Sequence, residues 1–188
     1  MLGNRIAKEL EKYKEQLDKE KVKHGNWKKP YEKLIRSVYN QPVLFIALSR
    51  EKYDTNNNCS IPFVDTKDFG GRPSLYIFSD VNLASNWMVH YGHMTEDERY
   101  GLIGAVDKKN NDYLQIFKIA KRLGVEYIML DEGGLLVGIS IDDFIGVNRI
   151  DIDDIEIYLT KEEAENLKNN NEVPKLRFPA IPAIPLKK

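Results

Sequence analysis

The chain has 188 residues, 42% apolar and 30% charged, with a formal net charge of -1. This composition suits a folded domain of ordinary size with extensions and excludes a disordered chain, while the even charge balance argues against a nucleic-acid binder that relies on a broad basic surface. No run approaches the roughly 18 apolar residues of a membrane span, the charged N-terminus has no signal-peptide core, and the single cysteine, Cys59, allows neither an intrachain disulfide nor a cysteine-rich metal site, so no membrane association and a cytoplasmic location are expected.

Leu2, Ile6, Leu10, Tyr13 and Leu17 recur at helical spacing among Lys and Glu residues and predict an amphipathic helix over residues 2–23. His24 to Pro30 breaks the pattern. Pro30 suits the first position of a second helix carrying Tyr31, Leu34, Ile35 and Val38. Together these form an N-terminal helical extension, residues 1–40, able to pack on the core or on a partner.

Residues 41–150 read as the main domain. Val43 to Leu48 is a continuous apolar run and predicts a strand buried on both faces. Asp54 to Asn58 is a polar loop. Ile61 to Val64 reads as a short edge strand, because Pro62 cannot donate to a ladder. Gly70-Gly71-Arg72-Pro73 turns the chain into a strand from Leu75 to Phe78. Ser79 and Asp80 then stop that strand and cap a helix that carries Leu83 and Trp87 and ends near Tyr91 at Gly92. Tyr100 to Val106 is open between a strand and a helical turn, since Thr95 and Glu98 have capping-box spacing. Tyr113, Ile116, Phe117, Ala120 and Leu123 mark a helix from Asp112 that Gly124 stops. Strands follow at Val125 to Leu130 and Leu135 to Ile139, joined by Asp131-Glu132-Gly133-Gly134.

The strand–helix–strand–helix–strand order from residue 75 to 130 favours parallel strands with right-handed crossovers. The earlier strands lack helical connections and are expected to be antiparallel. The fold class is therefore α/β (mixed α+β), one mixed sheet with helices packed on it. Residues 151–176 form an appendage: an acidic cluster of Asp151, Asp153, Asp154 and Glu156, a strand-like Ile155 to Leu159, and a helix opened by Thr160 and Glu163. The tail, residues 177–188, has proline at every third position from Pro179 to Pro185, which in a polyproline II helix puts Phe178, Ile181 and Ile184 on one edge.

From about Pro42 to Ile150 the chain resembles the N-terminal domain of the SseB (enhanced serine sensitivity) family. The resemblance is carried by the apolar strand Val43 to Leu48, by Arg72-Pro73-Ser74-Leu75-Tyr76-Ile77-Phe78-Ser79-Asp80 before a helix with Trp87, and by the closing unit from Tyr100 to Leu130. Asp131-Glu132-Gly133-Gly134 stands where family members often have an Asn-Pro-Gly-like turn. The resemblance implies a bacterial protein with no enzymatic activity to carry over and a protein-binding role, possible beside secretion systems and toxins.

The chemistry-bearing residues support few reactions. No Gly-x-Ser-x-Gly elbow, phosphate loop or dinucleotide fingerprint is present, and no cofactor is expected. Cys59 has no evident base. His90 and His93 with Glu96, Asp97 and Glu98 have metal-ligand chemistry, but Gly92 separates them, so a solvated helix end and no metal is the reading. Asp131 and Glu132 follow a central strand, where open α/β sheets hold ligands, with Asp80 near if its strand runs parallel. These three are the ligand-pocket candidates. Trp27, Tyr31, Asp151, Asp153, Asp154, Ile181 and Ile184 are the candidates for contact with another protein. The expectation is a non-enzymatic protein-binding module without catalytic residues, one that neutralises or accompanies a toxin or secreted effector. The alternative is a small-ligand sensor or hydrolase built on the acidic strand ends.

Overall fold

A computed structural model describes residues 2–54, 56–66, 70–95, 97, 99–110, 112–158 and 176–185. The helix expected at Thr160, with Glu163, lies outside the described residues.

Two helices open the chain, α1 (Leu2–Val22) and α2 (Lys28–Tyr39). Helix α2 begins two residues before Pro30, so the proline sits inside the first turn, where its missing N–H has no intrahelical partner to lose. Leu34, Ile35 and Val38 are fully buried in the main core, and Leu10 of α1 joins them. The N-terminal helices thus pack on the domain.

The sheet has eight strands: β1 (Val43–Ala47), β2 (Cys59–Ser60), β3 (Val64–Asp65), β4 (Ser74–Phe78), β5 (Tyr100–Asp107), β6 (Tyr127–Leu130), β7 (Val137–Ser140) and β8 (Ile181–Pro185). Helix α3 (Val81–Tyr91) follows β4, α4 (Asp112–Arg122) follows β5, and α5 (Ile141–Asn148) follows β7. The strand order is β2-β8-β5-β1-β4-β6-β7, with β3 pairing β4. Strands β4 and β6 pair in parallel, Ser74 opposite Tyr127 and Ile77 opposite Leu130. Strand β1 lies antiparallel to both β4 and β5. All three strands of the expected unit therefore run one way, with β1 inserted between two of them.

Side chains alternate across the sheet as a pleated backbone requires. Leu44, Ile46, Leu75, Ile77, Ile128 and Leu130 face the larger core under α2, α4 and α5. Ala47, Tyr76, Phe78, Ile103 and Met129 face a smaller core under α3. All five residues of β4 are buried, as expected of a central strand.

Four sequence expectations change or resolve, and one helix is new. Tyr100 to Asp107 is a strand; Thr95 instead closes a turn, its hydroxyl donating to Asp97 (2.7 Å) and accepting from the Tyr100 N–H (3.3 Å). Ile61 to Val64 is not one strand: Pro62 makes a single bridge to Leu48 and only Val64–Asp65 pairs with β4. Ile155 to Tyr158 belongs to no strand of the sheet. Helix α5 occupies residues that carried no expectation. The proline tail is strand β8, seated between β2 and β5, not a polyproline helix. Its prolines are tolerated because pairing to β5 shifts register between Tyr100 and Gly104. Gly104 permits the approach, since a Cβ there would collide with Ile181 Cγ2 and meet Leu48 Cδ1 at 3.3 Å.

Candidate functional site

The parallel pairing of β4 and β6 brings their C-terminal ends side by side. Asp80, Asp131 and Glu132 stand at these strand ends, Asp80 near Asp131, while of the three only Glu132 lines a dent beside α3; each has a defined task.

Asp80 is the N-cap of α3, its carboxylate accepting from the Asn82 N–H at 2.7 Å. Gly92 ends the helix at φ 67°. Asp131 is only 2% exposed and adopts a left-handed φ of 53°. Its oxygens accept from the Ser79 N–H and the Ser79 hydroxyl, both at 2.7 Å, which ties the exit of β6 to the exit of β4. Burial pushes the Asp131 carboxyl above the usual range; the Ser79 hydrogen bonds oppose this and the nearby Asp80 charge adds to it.

Glu132 lies in the next position of the turn, half-buried. Trp87 Nε1–H donates to its Oε2 at 2.6 Å and the Tyr91 hydroxyl donates to its Oε1 at 2.9 Å. Trp87 is buried in an aromatic cluster: the His93 ring stacks on it at 4.5 Å, and Phe63, Tyr76 and Phe78 surround it with centroids between 5.6 and 6.2 Å. Burial, then Arg50, lowers the His93 pKa, with Asp65 opposing, which keeps the imidazole neutral at pH 7. A dent of about 330 Å³ opens between α3 and this turn, walled by Leu83, Asn86, Trp87, His90, Tyr91 and Glu132. Tyr91 in this wall is 52% exposed, and Val89, which does not line the dent, is 72% exposed.

The other candidates are dispersed. Trp27 stands at the N-cap of α2, 45% exposed, edge-on to Tyr31 at 5.9 Å. Tyr31 is committed inward: its hydroxyl donates to Asp143 (3.1 Å) and accepts from the Ser140 N–H (3.2 Å). Burial raises its pKa to about 12. The acidic cluster meets basic residues of its own chain. Asp153 pairs with Arg122 at 2.9 Å, and Asp154 lies 3.6 Å from Lys118, whose Nζ also donates to the Asp154 carbonyl at 2.7 Å. Asp151 accepts from the Asp153 N–H. Ile181 is 3% exposed in the larger core and Ile184 packs on the smaller one, as alternation along a strand dictates.

A larger cavity of about 910 Å³ lies elsewhere, walled by Arg50, Cys59, Ile61, Phe63, His93 and Phe178 among others. Burial pushes the Cys59 thiol up, with Asp54 adding, and it donates to the Asn57 carbonyl, which leaves a poor nucleophile. Among the described residues no group of three or more His, Cys, Asp or Glu side chains could hold a metal, and no buried side-chain nitrogen or oxygen lacks a partner.

Reading residues singly missed the joint role of Trp87, Tyr91 and Ser79. The i, i+4 spacing of Trp87 and Tyr91 is visible in the sequence and puts both rings on one helical face; that Glu132 meets them depends on the parallel register.

The fold makes this a mixed α/β protein with N-terminal helices packed on an eight-stranded sheet. No helix among the described residues is long and apolar enough to cross a membrane. No model of a known protein family matches the chain, and neither a curated protein nor a solved structure matches it.

Proposed function

We propose that the chain is a non-enzymatic protein-binding module of SseB-like type that recognises its partner through α3 and the β6–β7 turn. The observation that carries this is the exposed Val89 and Tyr91 on a helix anchored by Trp87 in the aromatic cluster and by the hydrogen bonds of Trp87 and Tyr91 to Glu132. Rigid amphipathic aromatics bind at low entropic cost, the character of interface hot spots. The engagement of Asp80 and Asp131 in a helix cap and a strand tie supports binding over hydrolysis. Naming the partner a bacterial toxin or secreted effector rests on the SseB resemblance.

The test places a photo-crosslinking residue at Val89, with Val22 as an exposed control, in the producing cell. One protein should crosslink from position 89 and not from 22. The purified pair should bind, with Val89→Asp weakening it about tenfold or more. Equal capture from both positions, or turnover of a compound that Glu132→Gln abolishes, overturns the proposal.

A further inference from the structure

Away from the β4 and β6 strand ends, the cavity of about 910 Å³ falls within the size range of small-molecule sites, about 300–1,000 Å³. Its walls include the single helical turn Arg50–Lys52, Ile61 and Phe63, Phe178 ahead of β8, and His93. His93 is fixed in place. Its backbone N–H donates to the Met88 carbonyl at 2.9 Å and its carbonyl accepts from the Leu102 N–H at 3.1 Å. Its ring lies flat on Trp87 and meets Phe63 edge-on at 5.1 Å. Neither ring nitrogen has a hydrogen-bond partner among the described residues, and no buried side-chain nitrogen there lacks one, so the imidazole edge faces reachable space. Of the charges acting on this ring Arg50 is foremost, ahead of Asp65, which puts the guanidinium near it.

We propose that this cavity binds a small organic carboxylate with an apolar body, its head held between Arg50 and His93 and its body lying on Ile61, Phe63 and Phe178. The site is separate from the surface on α3 and does not depend on that reading. A neutral imidazole offers one N–H donor and one acceptor, and a guanidinium offers the planar fork that matches a carboxylate. The charges lining the cavity are Arg50, Lys52 and Arg177 against Glu51 and Asp54. Asp54 is turned to its own loop: it accepts from the Asn56 and Asn57 N–H groups at 2.9 and 3.3 Å and from the Asn57 side chain at 2.7 Å. Positive charge therefore prevails toward a ligand, which disfavours a cation. A wholly apolar ligand would cover the imidazole edge and the guanidinium without giving either a partner, at the cost of their desolvation.

The probe is 4-phenylbutyrate, with 4-phenylbutyramide as its neutral counterpart and acetate as the head without the body. The readout is the ring C–H resonances of His93, one of three histidines, identified by their loss in His93→Phe. 4-Phenylbutyrate should shift them saturably, with Kd about 1 mM or below. Arg50→Gln should weaken binding about tenfold; Arg50 is exposed, so this variant removes the charge without disturbing the core. Arg36→Gln removes the same charge on α2, outside the cavity, and should leave binding unchanged. His93→Phe keeps an aromatic ring against Trp87 and removes both nitrogens; by calorimetry it should weaken binding about fivefold. Equal binding of the amide, equal weakening by the two arginine variants, or no shift at about 20 mM 4-phenylbutyrate overturns the inference. Equal affinity for acetate overturns it as well, since the apolar wall would then contribute nothing.

Discussion

Replacing Asp131 tests the tie between the two strand exits. In Asp131→Ala the Ser79 N–H and hydroxyl each lose a 2.7 Å acceptor, and hydrogen bonds to charged groups contribute about 1.5–3 kcal/mol each. Alanine must also hold the left-handed φ of 53°, at about 1 kcal/mol. Water reaching half-buried Ser79 returns part of this, so the net loss is about 3–5 kcal/mol, or about 10 °C in Tm for a chain of this size. Asp131→Asn keeps one acceptor, tolerates the left-handed backbone and should lose only about 1 kcal/mol near pH 4. The sign of its pH dependence follows from the raised carboxyl pKa. The folded state holds the proton more tightly than the unfolded state, so the contribution of Asp131 is fully present below the unfolded pKa and is lost as pH rises through the folded one. Asparagine does not titrate, so the variant should gain on wild type between pH 4 and pH 7. Urea unfolding followed by tryptophan fluorescence at both values measures this. A Asp131→Ala loss under about 1 kcal/mol, or a difference between wild type and Asp131→Asn that is flat with pH, refutes the reasoning.

Gly104→Ala should destabilise by about 2–3 kcal/mol through the collision with Ile181; Ile181→Ala costs a similar amount alone, and the double variant should be less damaging than the sum, seen in a double-mutant cycle by thermal unfolding. Tyr31→Phe should cost about 1 kcal/mol and flatten the alkaline limb of stability. The folded pKa of Tyr31 is raised from 10.0 to about 12, so wild-type stability from this group is present below pH 10 and is lost as pH rises toward 12, measured by urea titration across that range. Lys118→Met should loosen residues 151–158 from α4, because buried Lys118 holds the Asp154 carbonyl; faster glutamyl-endopeptidase cleavage at Glu156 reads it, whereas Arg122→Ala, at an exposed pair, should change stability by under about 1 kcal/mol.

The central strands and α3 are legible because local signals agree: Val43 to Ala47 and Leu75 to Phe78 are apolar throughout, and Asp80 and Gly92 cap the helix that follows as their residue types suggest. Strand β8 is not legible, because three prolines in seven residues oppose pairing and only the register shift against Gly104 lets them in. Helix α5 was hidden in a short stretch. Ser140 precedes it and Asp142 and Asp143 stand in its first turn, yet Ser140 makes no side-chain cap and its N–H is satisfied by Tyr31 from another helix. The acidic cluster looked available for a partner because its cations, Lys118 and Arg122, are more than thirty positions away in sequence. In each of these the deciding contact is long-range, where periodicity carries no information.

The unequal cover of the two sheet faces explains why the candidate site sits where it does. Helices α2, α4 and α5 close one face with the larger core, aliphatic residues around Tyr113, Phe117 and Phe144. The other face has α3 and Phe63 over a short aromatic core. The crossover from β4 to β5 must pass over the inserted β1, which draws α3 across the sheet and leaves its outer side without a further layer. A lone helix over a small core is held by few contacts, and here they concentrate on Trp87. The indole N–H then needs an acceptor at the helix edge, and the turn leaving the parallel strand β6 is the element that can supply one. Glu132 meets that need and brings a charge that no cation of the described chain offsets. The same topology that makes α3 the exposed helix therefore fixes a carboxylate beside it, held by Trp87 and Tyr91.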